Sequence, residues 1–98
     1  MGFRHIHFII NPVAGNGNSP LTKEYLEQYF INTFHNLRVK YSTHKKHAIE
    51  LTKKSIAEGA DIIVACGGDG TVNEVASSLV GTSIPLGIIP IGSGNGLA

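Results

Sequence analysis

Apolar positions along the chain alternate between two periods. Short apolar runs lead into glycine-rich loops, and longer stretches with helical spacing follow the first two of those loops. His5 to Asn11 reads as a first strand, apolar at Ile6, Phe8, Ile9 and Ile10. Ser19 can cap a helix with Pro20 at its first position, and the stretch Pro20 to Phe34 gathers Tyr25, Leu26, Tyr29 and Phe30 on one face. Leu37, Val39 and Tyr41 then alternate with Arg38, Lys40 and Ser42, the pattern of a half-exposed second strand. A second helix, Lys46 to Glu58, puts Ala48, Ile49, Leu51, Thr52 and Ile56 to one side. Glu50, Lys53, Lys54 and Glu58 take its other side, Glu50 can pair with Lys54, and Gly59 ends it.

Asp61 to Cys66 is continuously apolar after its first residue, as a strand covered on both faces requires. Thr71 is placed to cap a third helix, with Glu74 completing a Thr-x-x-Glu capping box. Val72, Val75, Ala76, Leu79 and Val80 form its apolar stripe, and Gly81 closes it. Ile84 to Ile89 is a fourth strand, with Pro85 near its start, where a missing N–H is tolerated. Strands alternating with helices predict an α/β fold, a doubly wound three-layer sandwich with a mainly parallel sheet. The half-exposed second strand belongs at an edge and the apolar first and third inside, which gives the order 2-1-3-4 with right-handed crossovers. The order reverses between strands one and three, so the loops 11–19 and 67–70 meet at the switch point, where such sheets bind ligands.

Composition narrows the class. The 98 residues are 42% hydrophobic and 15% charged, which marks a globular chain of single-domain size. A net charge of +1, from 8 Lys+Arg against 7 Asp+Glu, argues against a nucleic-acid partner held by broad electrostatics. One cysteine excludes an internal disulfide framework and a cysteine-based zinc site, and fits a reducing, intracellular setting. No apolar run reaches the length of a membrane span, and no signal-peptide pattern opens the chain. At the other end, Asn95 resembles the cap of a fourth helix followed by three residues, too few to nucleate one. The chain thus reads as the N-terminal part of a longer protein.

Twelve glycines are the informative excess, because they cluster mainly in residues 11–19, 67–70 and 92–96. A glycine-rich turn at a helix N-terminus exposes backbone N–H groups and the positive end of the helix dipole, and lets an anion approach closely. Phosphate is the natural guest. Neither Gly-x4-Gly-Lys-Ser/Thr nor Gly-x-Gly-x-x-Gly is present, so the P-loop and dinucleotide fingerprints do not apply. Asp69 is the one charge in the loop 67–71. Beside a polyphosphate it calls for a cation between them, and Mg²⁺ is the fitting one. It can equally take the proton of an attacking hydroxyl, or form an Asx turn. Asn73 is placed to reach a ligand, and Thr71 can donate its hydroxyl to phosphate. Cys66 reads as packing, His5 and His7 as strand residues without metal-site company, and His44-Lys45-Lys46-His47 as a solvated basic run able to meet an anionic lipid surface.

Gly67-Gly-Asp-Gly-Thr-Val-Asn-Glu74 resembles the signature of the diacylglycerol kinase catalytic domain family, which includes diacylglycerol, sphingosine and ceramide kinases. Asn11-Pro-Val-Ala-Gly15 and Ile89-Pro-Ile-Gly-Ser-Gly-Asn95 agree with it in order and spacing. The resemblance implies that residues 1–98 are an N-terminal nucleotide-binding domain, followed in the family by a β-rich lipid-binding domain. It implies ATP and Mg²⁺ as cofactors, with nucleotide contacts from Asn11, Pro12, Val13, Ala14 and Gly15, from Thr43, from Gly67, Gly68, Asp69, Gly70, Thr71, Val72 and Asn73, and from Ser93. Asp69 matches the aspartate tied to Mg²⁺–ATP and phosphoryl transfer, catalytic and an indirect metal partner. Gly96 stands where many bacterial members carry an aspartate, and Gly-Ser-Gly-Asn-x-Leu-Ala is similar to the sphingosine-kinase form. The implied activity is transfer of the γ-phosphoryl group of ATP to a diacylglycerol or sphingoid lipid hydroxyl, by a cytoplasmic, peripherally membrane-associated enzyme whose lipid is held by the second domain. The alternatives are a kinase of a soluble substrate, as in NAD kinases and phosphofructokinases that share Gly-Gly-Asp-Gly, and a non-catalytic nucleotide sensor. Self-association into a homodimer is a further expectation, since one flank of the sheet lacks a following element.

Overall fold

The computed structural model describes residues 5–11 and 36–90. These form β1 (His5–Ile10), β2 (Asn36–Tyr41), α1 (His47–Ala57), β3 (Ile62–Gly67), α2 (Asp69–Leu79) and β4 (Leu86–Pro90). The strands make one four-stranded sheet in the order β2-β1-β3-β4, each neighbouring pair parallel. This is the α/β architecture and strand order that the burial patterns predict. The helix expected over Pro20 to Phe34 and the last glycine loop, 92–96, lie outside the described residues.

The side-chain period of two divides the sheet cleanly. Ile6, Phe8 and Ile10 of β1 join Val64 and Cys66 of β3 in a buried cluster on one face, flanked by Leu37, Val39, Ile62 and Ile89. Ile9, Ile63 and Ala65 join Ala48 of α1 and Val75 and Leu79 of α2 on the other, so both helices pack on the same face. Burial on both faces is why β1 and β3 read as apolar runs. Full burial of a side chain the size of Phe8, which has no exposed surface, stabilises by about 2–3 kcal/mol. At the edges the pattern relaxes. Arg38 of β2 is exposed, Tyr41 is exposed rather than on the buried side, and Ile88 of the β4 edge faces solvent. Val80, expected to end the stripe of α2, is the C-cap and is 80% exposed.

The buried face of α1 is turned relative to its apolar stripe. Ala48, Thr52 and Ser55 are innermost, while Ile49, Leu51 and Ile56 are half-buried. The reason is His7, which β1 projects towards the helix. Its Nδ1 lies 2.7 Å from Ser55 Oγ, and Thr52 Oγ1 donates to the Ala48 carbonyl at 2.7 Å, so each polar group in this layer is satisfied. Lys40 Nζ donates to the Glu58 carboxylate at 2.7 Å and holds its pKa below the ordinary carboxylate range. Among the described residues Glu50 and Lys54 form no ion pair. Burial, with the Lys40 charge adding to it, lowers the His7 pKa from 6.5 to about 4; Glu58, at 3.8 Å, opposes the shift without cancelling it.

The junction of β3 and α2 corrects the expected capping box. The helix starts at Asp69 with Gly68 as N-cap, two residues before Thr71. Thr71 is buried and folds back beneath Gly67: a Cβ on Gly67 would stand 2.8 Å from Thr71 Oγ1 and 2.9 Å from Thr71 Cβ. Glu74 does not reach back along its own helix. Its Oε2 accepts the backbone N–H of Lys46, 3.0 Å away at the start of α1.

Two outcomes follow from these contacts. Because the His7 imidazole titrates near 6.5 unfolded and near 4 folded, the unfolded chain takes up this proton first as pH falls. Its contribution is complete above pH 6.5 and drains away towards pH 4, by up to about 3 kcal/mol. Urea denaturation across that window should therefore show a steeper loss for the native chain than for His7→Gln; equal slopes would refute the burial argument. Gly67→Ala, which drives a methyl into a buried side chain, is expected to lower stability by about 1–3 kcal/mol, read by thermal denaturation.

Candidate active site

The last backbone bonds at the C-terminal end of β1 point in opposite directions. The Ile10 carbonyl accepts the Ser42 N–H at 2.8 Å on the β2 side, and the Asn11 N–H donates to the Cys66 carbonyl at 2.9 Å on the β3 side. The strand order reverses here, which makes this end of β1 the switch point of the sheet. A cavity of about 390 Å³ lies there, within the usual size of ligand sites. Asn11 lines it from the end of β1, Ser42 to Lys45 from the loop after β2, and Gly70, Thr71 and Glu74 from α2.

One wall is the N-terminal end of α2. The first N–H groups of a helix have no partner within it. Gly68 has no side chain to cap them, and Val72 donates into the helix, to the Gly68 carbonyl at 3.1 Å. An added Cβ on Gly68 or on Gly70 would meet nothing within 4 Å. Neither residue has a positive φ. Packing therefore demands glycine at 67 and not at 68 or 70, where the bare backbone faces open space.

The opposite wall is the loop between β2 and α1. Thr43 donates its N–H to His47 Nδ1 at 2.9 Å, so that nitrogen is an acceptor; Thr43 Oγ1 lies 2.9 Å from His44 Nδ1. The His44 and His47 rings stack with centroids 4.5 Å apart, 8° from parallel. Lys46 closes the loop in the left-handed conformation, φ 69°, which costs a non-glycine residue about 1 kcal/mol or more. Lys45 gives the cavity a positive charge that the loop 67–71 lacks.

The fold thus brings Asn11, Thr43, Gly70 and Thr71, expected nucleotide contacts, onto one cavity. Gly67, Gly68, Asp69, Val72 and Asn73 lie in the same junction and first helical turns. Asp69 and Asn73 are exposed, whereas Val72 packs towards the core and leaves only its backbone near the site. Pro12, Val13, Ala14, Gly15 and Ser93 lie outside the described residues. Cys66 is a buried thiol whose pKa burial pushes up to about 12, so it is packing and not a nucleophile. Among the described residues no three His, Cys, Asp or Glu side chains cluster as a metal cage. Exposed Asp69 beside a glycine cradle instead suits Mg²⁺, which takes few protein carboxylates and completes its shell with phosphate oxygens and water. Glu74 lines the cavity although its spacing marks a capping box, and Ser42, His44 and Lys45 line it with no motif to single them out. Their position after β2, at the same end of the sheet as the glycine loops, was the available signal.

Comparison with known proteins agrees with this geometry. The profile of the diacylglycerol kinase catalytic domain matches residues 5–98. An uncharacterized protein of Synechocystis sp. is 45% identical over 100 residues, covering 91% of this chain and 23% of that protein. Sphingosine kinase B of Dictyostelium discoideum is 31% identical over 102 residues, covering 97% of this chain and 13% of that protein. The crystal structure of a diacylglycerol kinase from Bacillus anthracis str. Sterne superposes with a TM-score of 0.72 at 28% identity, covering 94% of this chain and 34% of that one. The chain spans about a quarter or less of the length of these two curated relatives. A parallel sheet with a cavity at its switch point, and a profile match from β1 to the last residue, lead to one conclusion: the chain belongs to the diacylglycerol kinase catalytic domain family.

Proposed function

We propose that the chain is the nucleotide-binding part of an ATP- and Mg²⁺-dependent lipid kinase. The observation that carries this reading is the pair of exposed glycines, Gly68 and Gly70, at the mouth of α2, where the fold itself gains nothing from glycine. Their use is an approach from outside. The Asp69, Gly70 and Thr71 amides would hold phosphate oxygens, aided by the helix dipole, with Thr43, Asn11 and Lys45 on the facing side. Mg²⁺, placed by Asp69 and the phosphates, would supply charge neutralisation. In the reaction a lipid hydroxyl oxygen would form the new bond to the γ-phosphorus as the bond to the ADP oxygen breaks in line, and the hydroxyl proton would pass to the Asp69 carboxylate where Asp69 acts as base, or to solvent where it is engaged in placing Mg²⁺. The chain's own contribution is positioning and electrostatics.

A lipid acceptor, diacylglycerol or a sphingoid base, is favoured over a soluble one because the named relatives include a sphingosine kinase and a diacylglycerol kinase. Among the described residues no helix is long and apolar enough to cross a membrane. The test is transfer of label from γ-labelled ATP, with Mg²⁺, to vesicles containing diacylglycerol or sphingosine by the intact protein. Transfer to a soluble acceptor alone would overturn the lipid assignment.

Two substitutions probe the site. Gly70→Ala removes a poor helix former from an open position and should raise stability by about 0.5–1 kcal/mol. The same methyl should weaken Mg²⁺–ATP binding by roughly tenfold, since it occupies the line of approach. Unchanged affinity, measured by titration calorimetry, would remove the phosphate site from α2. Asp69→Asn should leave the thermal midpoint unchanged, the residue being exposed, and lower the rate of phosphoryl transfer by about a hundredfold or more.

A further inference from the structure

Among the described residues Lys46 is the one non-glycine residue with positive φ, and it has no side-chain cap for the helix that it begins. Its N–H is bonded to a side chain from a different helix, Glu74 Oε2 at 3.0 Å. Glu74 lines the cavity. A carboxylate facing a polyphosphate site is repulsive, and the capping role that its spacing suggests is not the one the fold uses. Lys46 also ends the segment 42–45 that forms the facing wall.

We infer that Glu74 is a positioning residue for the nucleotide cavity. By accepting the Lys46 N–H it holds Lys46 left-handed, and thereby fixes the segment Ser42–Lys45 across from Gly70 and Thr71. A carboxylate is the strongest acceptor available for such a bond. A glycine at 46 would adopt the same conformation without help, so the brace matters because lysine stands there. This inference rests on the reading of the cavity as a nucleotide site.

The test compares Glu74→Ala, Glu74→Gln, Lys46→Gly and the double variant Lys46→Gly/Glu74→Ala in the intact protein. Two quantities are read: Mg²⁺–ATP affinity by calorimetry, and hydrogen exchange of amides 43–46 without nucleotide. Glu74→Ala should speed exchange at 43–46 and weaken affinity by about tenfold, whereas Glu74→Gln, which keeps an acceptor oxygen, should lose about threefold or less. Adding Lys46→Gly to Glu74→Ala should restore affinity to within about threefold of the native protein. A purely electrostatic or direct nucleotide contact at Glu74 predicts no such rescue, and its absence would overturn the inference. So would unchanged exchange at 43–46 in Glu74→Ala. If the native protein binds no Mg²⁺–ATP, the nucleotide reading fails and the exchange measurement alone decides the brace.

Discussion

The site depends on one constraint: a parallel strand can hydrogen-bond to two neighbours only while all three run together. At Ile10 and Asn11 that condition ends. One residue gives its carbonyl to β2 and the next its N–H to β3, and beyond this point no ladder can fill the gap. The crevice is therefore a consequence of strand order, present before any loop chemistry is added. The order follows from burial, because β1 and β3 are too apolar to lie anywhere except between neighbours.

Charge is then arranged on that crevice with little basic chemistry. The loop 67–71 has no lysine or arginine, and the α2 wall offers backbone N–H groups and a helix dipole. Lys45 supplies a cation from the opposite wall. A lysine gripping phosphate would act as a flexible point charge, whereas amides fixed by a helix hold direction as well as charge. In the proposed nucleotide complex such a surface would need a cation near Asp69, and the sparse carboxylate supply would suit an ion that shares its shell with phosphate.

Most of the architecture was legible because burial writes itself into periodicity. Residues 62–66 announce a doubly covered strand, and the alternation of 37–42 an edge. What escaped was contact between elements. Thr71 and Glu74 have capping-box spacing, but spacing cannot say where the helix begins, and the buried fit of Thr71 against Gly67 moves the start to Asp69. Ser55 was invisible as a core residue because its partner, His7, comes from a distant strand. Thr43 entered through family resemblance alone. Its loop lies at the carboxyl end of β2, and applying the strand order to every loop at that end would have put residues 42–45 beside the glycine turn.

Elsewhere in the fold local rules and global packing agree. Among the described residues no buried side-chain polar atom lacks a partner, and β4 begins directly after the proline that could not have extended the ladder. The violations gather in one place. Gly70 weakens a helix that has room for a methyl, Lys46 is left-handed without being glycine, and Glu74 sets a carboxylate on the same α2 wall whose first backbone N–H groups face the cavity. Each is a local loss that the scaffold does not require. The second and third are coupled through the Glu74–Lys46 bond, so two separate losses converge on the crevice between β1 and α2, and substitution by alanine at 70 or glycine at 46 would relieve either. Their co-location is the physical argument that this crevice is what the domain is built to present.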